Sequence, residues 1–437
     1  MSCPPRLLYL AFWYPPSRAS GVYRALATSE RFAERGWDVT VVTTSRRFLE
    51  EEIGSTDESL MDFVPESVEV VRIPHARLGR PRPDPRNVGW LHASYPILWR
   101  KASAARARLT AAVGRNRSKA APDRYTGWPD AVNLALGQLG YEFDHVLATG
   151  NPFVAFRAAK QVAAAQDVTY SLDFRDPWTI DVYTGERLAT NGVNLDYEAS
   201  VISDAAVCFH VNKAIAEEYG RLYPEVADRQ HVVPNGFDVA SVVGSYRALS
   251  KGPCRFGILG TANPHWPFEA MFDGWEAARK ELPDGSQLVL GGHLGYFAGS
   301  RPGLQVQLPV EGEGFAYVGP VKKQDVAAFY SALDVIVVPV GGGPLATSGK
   351  IFEAAAVGVP VVCIQETGGG ARAVLEGHPG FLAARPTASS VTAAILAARN
   401  LAAEWSENDF AAAREFARPF ERQQALDQMV SYVEEFI

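Results

Sequence analysis

Short apolar runs alternate with stretches of helical periodicity along nearly the whole chain. Residues 7–14, 38–44, 68–73, 145–148, 168–174, 205–211 and 231–233 read as strands of a first set. Residues 254–260, 287–290, 315–318, 335–338 and 359–364 read as a second set. Most of these runs are apolar on consecutive positions, as expected of strands covered on both faces. Helical patterns fall between them: one starts at Val22 and stops at Gly36, and others cover 268–281 and 323–333. The tail from Trp405 is helical with a break at Pro419. This alternation predicts an α/β protein built as two Rossmann-like doubly wound domains facing across a cleft.

Pro234, Asn235 and Gly236 form a strong turn signal, and periodicity is weak from there to about 250. A first domain is therefore expected over 1–240, with a second over 250–415. The total of 437 residues suits two cores better than one. With 47% hydrophobic and 21% charged residues the chain is of globular type, so the apolar runs have a core to fill.

Charge and cysteine content narrow the function classes. A net charge of -7 argues against general nucleic-acid binding. No apolar run approaches about 18 residues, and the N-terminus lacks the basic and apolar regions of a signal peptide. Cys3, Cys208, Cys254 and Cys363 have no metal-like spacing and fit small core residues in a reducing cytoplasm. One segment departs from the average. Residues 77–124 carry 12 Lys and Arg against Asp84 and Asp123, with Trp90, Tyr95 and Trp99 among them. A basic helical insertion over about 77–130 is expected. It is either a solvated face packed on its own domain, a cradle for an anionic acceptor, or a peripheral contact to anionic lipid.

Four loops that follow strands are candidates for chemistry. The loop after the first strand holds Arg18 and Gly21 and leads into a helix start, where free N–H groups can meet an anion; Arg24 adds charge. Asp173, Arg175, Asp176 and Trp178 follow a buried strand. They are read as acceptor-side groups orienting sugar hydroxyls, with Trp178 offering an apolar face, or alternatively as an Asp173–Arg175 ion pair. Ser348 is expected to cap a helix, with Gly349 letting a ligand approach. Lys350 would meet a diphosphate and Glu353, three residues on, the ribose hydroxyls; an i,i+3 ion pair is the plain alternative. Gly260, Thr261 and Asn263 follow the first strand of the second set, and Gly368 and Gly369 either close over the donor or form a flexible loop. The spacing before Lys350 is not that of a Walker A loop, and no zinc-hydrolase, redox or serine-hydrolase motif occurs.

Taken in order, these segments resemble the retaining GT-B glycosyltransferases of the glycogen-synthase-like, bacterial group 1 (family 4-like) type. Val233-Pro234-Asn235-Gly236 and the Lys350-Ile351-Phe352-Glu353 helix carry the resemblance most specifically, with the Asp173 to Trp178 run and Gly358-Val359-Pro360 in support. The resemblance implies a nucleotide-diphosphate sugar as co-substrate, no cofactor and no metal. It implies transfer to a hydroxyl of a small molecule, glycan or lipid-linked sugar, with retention, by a cytoplasmic protein peripheral at most to the inner membrane face. The catalytic side would be Asp173, Arg175 and Asp176. Gly21, Gly260, Thr261, Asn263, Ser348, Gly349, Lys350, Glu353, Gly368 and Gly369 would bind the donor, and Arg18, Arg24 and Trp178 the acceptor. A terminal helix over 416–437 would cross back to the first domain. Two positions depart from the pattern. Ala346 stands where many relatives carry a Glu, and Thr261, Asn263 and His265 stand where they carry an Arg and a Lys. An epimerase or inverting transferase on the same plan, or a non-catalytic nucleotide-sugar-binding protein, are the rival expectations.

Overall fold

The computed structural model describes residues 3–74, 125, 127–187, 193–249, 252–294, 308–309, 312 and 314–437. The basic segment over 77–124, and with it the lipid or anionic-acceptor contact expected there, lies outside the described residues. Two wholly parallel sheets form the frame. The first contains β1 (Arg6–Ala11), β2 (Asp38–Thr44), β3 (Val68–Ile73), β4 (His145–Gly150), β5 (Thr169–Phe174), β6 (Val207–His210) and β7 (Gln230–Val232), in the order β3-β2-β1-β4-β5-β6-β7. The second contains β8 (Arg255–Leu259), β9 (Gln287–Gly291), β10 (Phe315–Gly319), β11 (Val335–Pro339), β12 (Val361–Ile364) and β13 (Phe381–Ala384), in the order β10-β9-β8-β11-β12-β13.

Burial explains the continuous apolar runs. On β1, Leu8 and Leu10 enter one core while Leu7, Tyr9 and Ala11 enter another on the opposite face. On β11, Val335 and Val337 face one core and Ile336 and Val338 the other. Period-two geometry sends neighbours to opposite faces, and helices cover both, so apolar side chains are favoured at successive positions. Two sequence expectations shift. β1 ends at Ala11, three residues early, because Tyr14 to Ser17 already turn. β13 was not foreseen, since Phe381-Leu382-Ala383-Ala384 is a short run at an edge with Ala383 exposed.

Helix α1 (Val22–Glu34) packs beside the terminal helix, α5 (Arg422–Glu434). Ala425, Leu426, Met429, Val430 and Val433 of α5 belong to the same apolar cluster as Leu7, Tyr9 and Phe209 of the first sheet. Arg31 of α1 grips Asp427 through Nε at 2.8 Å and Nη2 at 2.6 Å. The chain thus passes from the first sheet to the second near Gly236 and returns at Phe420. The two passes are joined by Phe237 N–H donating to Phe420 O at 3.0 Å and Arg422 N–H to Phe237 O at 2.9 Å. Gly236 has φ +61, and a Cβ there would lie 2.7 Å from Phe420 O, so a side chain would push the passes apart.

Three buried histidines tie stability to pH. His145 sits between Thr169 Oγ1 (2.7 Å) and Ser171 Oγ (2.8 Å), His210 beside Gln230 Oε1 (2.7 Å), and His378 between Ala355 O and Gly380 N–H (both 3.1 Å). Burial pulls their pKa values down to about 3, 4 and 4. In the unfolded chain they take up protons below about 6.5. Their contribution is therefore complete above that pH and lost progressively as pH falls toward 4. Each adds a slope of about 1.4 kcal/mol per pH unit in that window. Melting temperature should fall on acidification from pH 7 to 5, and His145→Gln should flatten the fall by roughly one third.

Candidate active site

In parallel sheets of this order, ligands sit where neighbouring strands send their connections to opposite faces. Those points lie between β1 and β4 in one sheet and between β8 and β11 in the other. The loops after these strands carry most of the residues singled out from sequence.

On the second-sheet side, the loop after β11 leads into α4 (Lys350–Ala356). Gly349 already has helical φ/ψ, and Ser348 before it supplies the side-chain cap, its Oγ accepting the Lys350 N–H at 3.3 Å. Lys350 Nζ donates to Glu353 Oε2 at 2.7 Å, and Tyr330 OH donates to the same oxygen at 2.8 Å. The i,i+3 pair thus forms, with Glu353 mostly buried beneath Lys350. Burial and the Glu353 charge raise the Tyr330 pKa well above its ordinary value, so the phenol stays a donor. An ammonium has three N–H donors, so Lys350 can hold Glu353 and still meet an anion.

Gly260 lies next to this pair: a Cβ on it would come 3.8 Å from Lys350 Cγ and 3.5 Å from the Trp266 ring. Thr261 is half-buried beside it. Asn263 spends its side-chain oxygen on the His265 N–H at 3.0 Å, because it shapes the turn. Gly369 is packed tightly, whereas Gly368 is exposed with open space around it. A Cβ on Gly369 would lie 2.2 Å from the fully buried Gln365, whose Oε1 accepts from Ala371 N–H at 3.0 Å. Ala346 is buried among Val340, Ile351 and Ala371, with its Cβ 3.0 Å from where a Gly342 Cβ would stand.

The first-sheet side corrects several expectations. Asp173 is fully buried and pairs with Arg24, not Arg175: Arg24 Nη2 reaches Oδ1 at 2.7 Å, Nε reaches Oδ2 at 2.9 Å, and Thr149 Oγ1 donates at 3.0 Å. The alternation of β5 turns Asp173 toward α1, away from the cleft, so Asp173 and Arg24 are structural and neither lines it. Trp178 is 8% exposed and stacks on Phe153 with centroids 5.1 Å apart, so its face is taken. Arg175 reaches back to Gly150 O at 2.6 Å, and its Nη1 would lie 1.3 Å from a Cβ on Gly21. Gly21 is therefore required by the Arg175 guanidinium packed over the start of α1. Asp176 is solvent-accessible, yet its dense surroundings push its carboxyl pKa up against the pull of Arg175.

The loop bearing Asp176 is held from below by Glu198, a fully buried carboxylate on α2 (Val193–Ser203). Glu198 accepts from Tyr219 OH and Tyr223 OH at 2.7 Å each, from Thr179 N–H at 3.2 Å and from the Thr179 hydroxyl. That anchorage presents Tyr183, which stacks on His265 of the second sheet's loop with centroids 3.5 Å apart. Arg18 also crosses, placing Nη2 2.7 Å from His293 Nε2; burial and Arg18 keep His293 neutral by lowering its pKa. His265 was noted from sequence only as a departure from the pattern, and Tyr183, His293, Glu198 and Tyr330 were not singled out. They lie in loops or on helix faces with no motif spacing.

Residues 258–400 match the family model described as glycosyl transferases group 1. The second half of the chain is thus similar to the group 1 glycosyl transferases over that span. A comparison with curated proteins gives no match. The whole chain is similar in fold to sucrose-phosphate synthase from Thermosynechococcus elongatus (TM-score 0.66, 15% identity, 99% of this chain and 98% of that one). It is similar as well to HepE from Anabaena in complex with UDP-glucose (TM-score 0.62, 15% identity, 98% and 99%). A third likeness is the catalytic domain of starch synthase IV from Arabidopsis thaliana bound to ADP and acarbose (TM-score 0.60, 11% identity, 99% and 99%). At such identities the likeness establishes the fold, which is GT-B. Lys350, Glu353, Gly260 and Gly369 all lie inside the matched span. Among the described residues no group of His, Cys, Asp and Glu is arranged to hold a metal ion, and no helix is long and apolar enough to cross a membrane.

Proposed function

We propose that the chain transfers a glycosyl group from a nucleoside-diphosphate sugar to an acceptor hydroxyl, with retention at the anomeric carbon and with its own cations neutralising the leaving group. The observation that carries this is the Lys350–Glu353 pair at the start of α4, at the switch point of the second sheet, with Gly260 beside it. Lys350 meets the diphosphate and Glu353, steadied by Tyr330, meets the ribose hydroxyls. The bond from the anomeric carbon to phosphate oxygen breaks as the acceptor oxygen attacks from the same face, and the acceptor proton passes to the departing phosphate. The protein's part is positioning and charge stabilisation. In this reading Asp176, exposed on the first-sheet side, serves the acceptor together with Arg175 and Arg18.

Incubation with UDP-, ADP-, GDP- and dTDP-hexoses, followed by nucleotide analysis and NMR of the product anomer, tests the proposal. The expected result is release of a nucleoside diphosphate from at least one donor and a retained anomer. An inverted anomer or an epimerised donor would remove the retaining assignment. Binding that raises the melting temperature, with no turnover of any donor, would favour a non-catalytic nucleotide-sugar-binding protein, the reading motivated by Ala346 standing where many relatives carry a Glu.

A further inference from the structure

We propose that Asn212 is a positioning residue through which the first sheet sets the shape of the loop feeding Lys350; its consequence for donor binding rests on the function proposed above. Asn212 caps α3 (Lys213–Leu222), its Oδ1 accepting the Ile215 N–H at 2.8 Å. The other end of the same amide leaves its own sheet. Nδ2 donates to Leu345 O at 3.0 Å and to Thr347 Oγ1 at 2.8 Å. The side chain is 8% exposed, and its acceptor and both donors are engaged.

The residue type is informative. Ser, Asp and Asn cap helices about equally well, but only Asn combines the cap acceptor with two N–H donors. A second contact acts on the same segment: the Leu345 side chain joins the apolar cluster of Trp178, Ile180 and Ile215 in the first half. From its own side the segment is held by Gln365, with Nε2 donating to Ala346 O at 3.0 Å. Residues 345–347 are thus clamped between the two halves, three positions before Lys350. Loss of the Asn212 donors leaves Leu345 O unpaired in a buried place and lowers the population of the loop shape that presents Lys350. Apparent affinity falls in proportion to that population.

Asn212→Ser keeps the cap and removes the donors; Asn212→Asp keeps the cap and sets a carboxylate against Leu345 O. In the ligand-free protein, hydrogen exchange of amides 345–351 should quicken in both variants while Ile215 stays protected. In calorimetric titrations with UDP, ADP and GDP, the Kd of the best binder should rise about tenfold. In turnover the loss should fall on the donor KM and not on kcat, because ground and transition states need the same loop. Thr347→Val should abolish part of the Asn212→Ser effect, as two residues sharing one bond require. Unchanged exchange at 345–351 in both variants overturns the proposal, with or without a ligand. Faster exchange with an unchanged Kd overturns its bearing on the donor. Failure of all three nucleotides to bind the wild type overturns the donor reading itself, while exchange still decides whether Asn212 holds the loop.

Discussion

Asp173→Ala is expected to lower stability by about 3–5 kcal/mol, the cost of leaving one member of a buried ion pair uncompensated. Arg24 is 3% exposed and its Nε and Nη2 both address the Asp173 carboxylate, so the arginine would be left charged in the core. The effect should spread to the crossing between the halves, because the same guanidinium holds Pro234 O at 2.9 Å and Val233 O at 3.0 Å. Urea unfolding followed by tryptophan fluorescence measures the loss. Two controls separate this role from a catalytic one. Asp173→Asn should be milder in stability and should leave nucleotide affinity close to wild type. The double replacement Arg24→Met/Asp173→Leu should recover only the part of the loss due to the unpaired charge, since Val233 O and Pro234 O still lose their donor. A large drop in turnover for Asp173→Asn at unchanged stability would return Asp173 to the reacting groups.

Lys350→Ala should reduce turnover of the preferred donor by about 10²–10³-fold, because it removes the cation set against the charge that develops on the departing diphosphate. Ground-state affinity for the nucleoside diphosphate should weaken less, about tenfold, as for one charge-assisted hydrogen bond. The fold should survive. Glu353 keeps the Tyr330 hydrogen bond, and Arg422 lies near enough to feel its charge. Lys350→Met keeps the aliphatic stem beside Gly260 and so isolates the charge. Initial rates and calorimetry on both variants measure the two losses. Equal rates in wild type and Lys350→Met would remove Lys350 from the reaction.

The architecture was legible because its signals are local. Doubly covered strands such as 335–338 must be apolar at every position, and the turn at Pro234-Asn235-Gly236 announces where one sheet ends. The Lys350–Glu353 pair was legible for the same reason: the two are neighbours on one helix turn, so their meeting follows from spacing alone. The surroundings of Asp173 and Trp178 were not. Sequence adjacency suggested that Asp173 would pair with Arg175, but the partner is Arg24, 149 positions away, chosen by the pleat of β5 and the placement of α1. Trp178 is drawn inward by Phe153 for a similar reason: a ring that can be buried among aromatics gains more there than in a wet cleft. Contacts between the halves, such as Tyr183 on His265, depend on how two independently folded sheets meet, and no pattern within either one encodes that.

The crossing itself has a further consequence. Arg24 takes the carbonyls of Val233 and Pro234, and Arg422 takes those of Asn235 (3.1 Å) and Gly236 (3.4 Å), so four successive peptide oxygens are spoken for by two side chains. The outgoing and returning chains are stitched together at Phe237 and Glu421. Residues 238–420 therefore behave as a cassette whose entry and exit adjoin, plugged into a host that already owns both the socket and the closing helix. For domain exchange, the natural junctions are Phe237 and Glu421, because a foreign second half spliced there inherits the socket intact, whereas a cut after the last helix would carry away part of the host's own core.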